Sequence, residues 1–134
     1  MTIKEQILEI GKKAKISTIE LSTLNSDKKI KALNEAATKI IKQKNEIIEA
    51  NNIDLENAKN NKLNNALIDR LALNTDRIES ISKSLVDIAS LPEPIGKILS
   101  EWKRPNGLKI QKITVPIGVI GIIYESRPNV TADA

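Results

Sequence analysis

The spacing of apolar residues changes twice along this chain, and each change marks a different kind of element. From Ile3 to about Leu24, the apolar positions Ile3, Ile7, Leu8, Ile10, Ala14, Ile19 and Leu21 recur at helical spacing. A second stripe, Ile30, Leu33, Ala37, Ile40, Ile41, Ile47 and Ile48, follows Ser26 as an N-cap and Asp27 in the first turn. Asn51-Asn52 predicts a break in that helix, with Leu55 and Ala58 in a second piece, because asparagine competes with the helical backbone for hydrogen bonds. After a polar joint at Asn60 to Asn65, "ALIDRLAL" predicts a short helix. Thr75 then caps a further stripe of Ile78, Ile81, Leu85, Ile88 and Ala89. That helix must stop before Leu91-Pro92-Glu93-Pro94, since a proline disfavours helical dihedrals in the residue before it.

Beyond Pro94 the period falls to two. One strand is predicted from Ile98 to Arg104, a turn at Pro105-Asn106-Gly107 in which Asn-Gly favours type I′, and a second strand from Leu108 to Val115. Both faces of the second strand mix polar and apolar residues, which suits a projecting ribbon. After Pro116 the run "IGVIGIIY" is continuously apolar, the pattern of a strand buried on both faces of a parallel sheet. Such a strand needs parallel neighbours, and none is legible elsewhere in these residues. The expectation is therefore a piece of a longer protein, or a strand that pairs with another chain.

Composition narrows the chemistry. Hydrophobic residues make up 40% of the 134 and charged residues 28%, a globular balance. There is no Cys and no His, which excludes a thiol nucleophile, a disulfide, the usual zinc sites and a Ser-His dyad within the chain. The net charge of +4 comes from lysines scattered along helical faces, and with one Trp, one Tyr and no Phe there is no platform for stacking bases, so no nucleic-acid partner is expected. No segment reaches the roughly 20 apolar residues of a membrane span and no signal peptide is evident, so no membrane partner and a cytoplasmic location are expected.

The candidate chemistry lies where the last apolar run ends. Glu125 to Thr131 is a polar loop between a strand and a helix, the place where open α/β sheets put their ligands. Gly118 and Gly121 have neither the spacing nor the position of a dinucleotide fingerprint. On physics alone the loop is either functional or a stiffened turn, with Asn129 or Thr131 capping the helix and Pro128 fixing the entry.

The stretch "VPIGVIGIIYESRPNVTADA", with "DRLALNTDRIESISKSLVDIASLPEPIGKIL" and "RPNGLKI" upstream, closely resembles the γ-glutamyl phosphate reductase family of the aldehyde dehydrogenase superfamily. The resemblance implies an α/β fold for the whole protein. In this chain it implies the N-terminal helical part of the nucleotide-binding domain over 1–97, a projecting β-hairpin of an oligomerisation element over 98–115, and the first strand and loop of a nucleotide-binding sheet, incomplete, over 116–134. It implies NADPH-dependent reduction of L-glutamyl 5-phosphate to L-glutamate 5-semialdehyde in proline biosynthesis, with phosphate released after attack by a cysteine thiolate. Members of that family are about three times longer. A chain without that cysteine is expected not to turn over alone, and a noncatalytic helical assembly module stays open as the alternative.

The resemblance also implies site roles. Asn129 matches an asparagine whose amide binds a developing oxyanion, with a helix cap as the alternative. By its own chemistry Arg127, the only cation in the loop, suits contact with substrate, with Ser126 beside it on that side, and equally suits an ion pair with Glu125. Ile123, Tyr124 and Glu125 fall on the cofactor side, and no metal is implied. The projecting ribbon implies a homodimer or higher homo-oligomer formed through strand edges.

Overall fold

The computed structural model describes all residues from Met1 to Ala134 and is mostly helical, with one antiparallel hairpin. Five helices precede the hairpin: α1 (Ile3–Thr23), α2 (Ser26–Lys42), α3 (Lys44–Asn60), α4 (Asn65–Leu71) and α5 (Thr75–Ala89). Strands β1 (Ile98–Lys103) and β2 (Lys109–Ile113) follow, and a short α6 (Pro128–Asp133) closes the chain. Two compact units result, Met1–Ser26 with Pro92–Gly121, and Asp27–Leu91 with Ile122–Ala134.

In the second unit the core gathers on α5, which buries Ile78, Ser82, Leu85 and Ala89 along one face. Ser82 is the polar member of that stripe, and its hydroxyl donates to the Ala37 carbonyl of α2 at 3.0 Å, so no orphaned donor enters the core. The expected break at Asn51-Asn52 falls instead at Gln43, between α2 and α3. Asn51 is buried inside α3, where its amide donates to the Leu71 carbonyl at 2.9 Å and accepts from the Leu73 N–H at 2.7 Å. Its side chain thus bonds the α4–α5 connection rather than competing with its own helix. The expected cap at Thr75 also moves by one: Asn74 caps α5 by accepting from the Arg77 N–H at 2.8 Å.

In the first unit α1 begins with a capping box between Thr2 and Glu5 and buries no residue. The hairpin pairs Trp102 with Ile110 and Lys103 with Lys109, with an irregularity between Ile98 and Ser100. Its turn is not type I′. The Gly107 N–H bonds the Arg104 carbonyl at 2.9 Å, so Pro105 and Asn106 are the central residues. Pro105 holds its own φ negative and Asn106 is not among the positive-φ residues, whereas Gly107 has φ +84°, which is a type I turn followed by a G1 bulge. Thr114 closes the open end, its backbone paired with Gly96 and Lys97 and its hydroxyl donating to the Pro94 carbonyl at 2.6 Å.

The run after Pro116, expected as a parallel strand, forms no regular element and joins no ladder. Strand identity is a property of a pair, and the only sheet in the chain is β1–β2. Ile117 is 88% and Ile123 103% exposed, so the apolar pattern is present without the neighbours that would bury it.

Candidate functional site

The segment from Ile122 to Ala134 folds back on itself by local bonds. Ser126 takes the left-handed conformation at φ +51°, which turns the chain sharply, and Pro128 then starts α6 at the position where a missing N–H does no harm. Across this turn the Tyr124 and Thr131 hydroxyls are 2.6 Å apart, a hydrogen bond that closes a loop containing every candidate residue from Glu125 to Asn129. Arg127 occupies the N-cap position with no side-chain cap bond, so neither Asn129 nor Thr131 caps the helix. Asn129 lies within α6, and its amide donates to Asp133 Oδ2, one turn on, at 3.0 Å.

Asn129 faces a cleft of about 340 Å3 within the second unit. Asp133 shares it from α6, Asp69 and Arg70 come from α4, and Arg77, Ser80 and Ser84 come from α5. The volume suits a small polar molecule. The wall from α4 to α5 is braced from two sides. The Arg77 guanidinium donates to the carbonyls of Asp69 and Ala72 and pairs with Asp69 Oδ1 at 3.0 Å, while Asn51 holds Leu71 and Leu73. Next to the cleft, α6 rests over an apolar groove formed by Leu33, Ile40, Ile78 and Leu85.

Of the residues expected from sequence, the structure brings Asn129 into the cleft and joins Tyr124 to Thr131. Ile123, Glu125 and Arg127 are exposed and line no part of it, and Arg127 makes no ion pair with Glu125; Ser126 is half-buried at the bend. Ile123 and the backbone beside it are exposed, and no glycine-rich turn here cradles a dinucleotide's diphosphate. Sequence reasoning missed Asp133 and the charged wall of Asp69, Arg70 and Arg77. Asp133 carried a signal, since it stands four residues after Asn129 on one helical face. The wall carried none, because its meeting with α6 is tertiary.

No protein-family model matches the chain. It is 49% identical over 132 residues to the γ-glutamyl phosphate reductase of Brucella suis, covering 98% of this chain and 31% of that protein. It is 50% identical over 133 residues to that of Syntrophomonas wolfei, covering 99% of this chain and 32% of that one. Among solved structures, it superposes on γ-glutamyl phosphate reductase from Thermotoga maritima with a TM-score of 0.90 at 42% identity, over 93% of this chain and 30% of that one. For the Saccharomyces cerevisiae enzyme the TM-score is 0.89 at 32% identity, over 99% and 33%. The chain therefore spans about a third of the length of the relatives it matches.

Proposed function

We infer that the chain belongs to the γ-glutamyl phosphate reductases, matching the N-terminal part of their fold, and that it serves in NADPH-dependent reduction of L-glutamyl 5-phosphate to L-glutamate 5-semialdehyde with release of phosphate. The observation that carries this reading is the agreement of sequence and backbone over nearly the whole chain with proteins of that name.

Asn129 donates its amide N–H to the acyl oxygen as the carbonyl carbon becomes tetrahedral, a role that favours donors oriented before reaction. Its bond to Asp133 supports this by holding the amide plane, and the Tyr124–Thr131 bond supports it by tying the loop ends together. Arg127 and Ser126 take the substrate side, where an exposed guanidinium suits the leaving phosphate. Ile123, Tyr124 and Glu125 take the cofactor side, where NADPH supplies hydride when bound. The thiolate that displaces phosphate comes from outside these residues, since the chain has no cysteine. The protein works in the cytoplasm as a homo-oligomer joined through the edges of the hairpin and the apolar run after Pro116.

The test is phosphate-dependent reduction of NADP+ by L-glutamate 5-semialdehyde in the full-length protein that carries this segment. Turnover is expected there and not from the 134 residues alone. A full-length protein inert with this substrate pair would overturn the reading.

A further inference from the structure

We propose that the cleft around Asn129 holds the α-amino-acid end of the substrate, with Asp133 taking the α-ammonium and Arg70 the α-carboxylate. This rests on Asn129 as the oxyanion donor. In a glutamyl group the α-carbon stands two methylenes from the acyl carbon, so with the acyl oxygen at Asn129 the charged end falls within the same small cleft. That cleft carries both signs of charge that a zwitterion requires, Asp69 and Asp133 against Arg70 and Arg77.

The position of Asp133 makes the argument specific. A carboxylate 3.0 Å from the amide nitrogen of an oxyanion donor opposes the negative charge that the donor is there to stabilise. A cation beside Asp133 removes that opposition, and the substrate ammonium is the cation that arrives only when it is needed. Asp133 Oδ2 is engaged by Asn129, while no residue of the chain bonds its other oxygen. On the α4 side, Arg77 already binds Asp69 and two backbone carbonyls, which makes it a positioning residue for the wall. Arg70 takes part in none of the chain's ion pairs, so its guanidinium is open to a carboxylate in bidentate fashion.

The experiment uses the full-length enzyme in the semialdehyde-oxidising direction. It compares kcat/KM for L-glutamate 5-semialdehyde with that for 5-oxopentanoate, which keeps the carboxylate and lacks the ammonium. Asp133→Asn is expected to shrink the preference for the amino-bearing substrate by about 10- to 100-fold, the worth of one hydrogen bond to a charged group. Asp133→Glu, which keeps the charge, is expected to keep most of the preference. Arg70→Gln is expected to raise KM for both substrates while leaving KM for NADP+ unchanged. An equal slowing of both substrates in Asp133→Asn would reduce Asp133 to a support for Asn129 and overturn its ammonium role. An unchanged KM in Arg70→Gln would remove the carboxylate assignment. Asn129→Ala serves as the control: it should slow both substrates alike, and full activity in that variant would refute the functional reading rather than the subsite.

Discussion

Asn51 places one side-chain amide in the interior of a helical unit and satisfies it on both sides, with the Leu71 carbonyl and the Leu73 N–H. Removing it leaves two backbone groups without partners in a site that water does not reach easily, so Asn51→Ala is expected to lower the unfolding free energy by about 2–3 kcal/mol. Asn52→Ala, at an exposed neighbour, should stay within about 0.5 kcal/mol. Denaturant melts of the two variants distinguish them, and equal midpoints would contradict the role given to Asn51. From sequence alone the two asparagines read as the same helix breaker, because propensity sees only the local backbone. What separates them is a partner twenty residues away. The loop that carries Asn129 was legible as a unit for the opposite reason, since its residues are contiguous in sequence and its ends, Tyr124 and Thr131, bond each other.

Among the elements, the hairpin carries the sharpest expectations. Gly107 sits at φ +84° with open space where a Cβ would go, so Gly107→Ala is strained by backbone alone and should cost about 1–2 kcal/mol of hairpin stability. Loss of cross-strand NMR contacts reports it. Glu101 accepts from Gln111 across the ladder and pairs with Lys109 at 2.9 Å, and these bonds hold its carboxyl below the ordinary carboxylate value. A lowered pKa means that this cross-strand stabilisation is complete above the ordinary value and is lost as pH falls through the lowered one. Acid titration followed by the Glu101 carboxyl resonance is expected to show a midpoint below that of a free glutamate, and Glu101→Gln should abolish the accompanying change at Trp102. Because the pair is exposed, high salt should weaken the effect. The strands were legible from their period of two and the turn from Pro-Asn-Gly. The turn type was misread because Asn-Gly was weighed without the proline before it, which shifts the central pair to Pro105-Asn106.

At the scale of the whole chain, apolar surface stands exposed wherever the sequence pattern asks for a partner the chain does not hold. Ile3, Ile7 and Ile10 on α1, and Ile117, Ile120 and Ile123 on the apolar run after Pro116, are each more than half exposed. The helical periodicity was legible in both units, but burial was not, because periodicity names the face to be covered and not what covers it. Isolated at high concentration, the 134 residues are therefore expected to self-associate in sedimentation experiments, and a clean monomer would contradict strand-edge pairing. The central claim concerns Asn129, and the most direct measurement is kcat of the full-length enzyme with Asn129→Ala, alongside its affinity for NADPH. Loss of about 100- to 1,000-fold in kcat with cofactor binding retained is the expected result for an oxyanion donor. Turnover equal to the unaltered enzyme would contradict it and leave the Tyr124–Thr131 loop as structure alone.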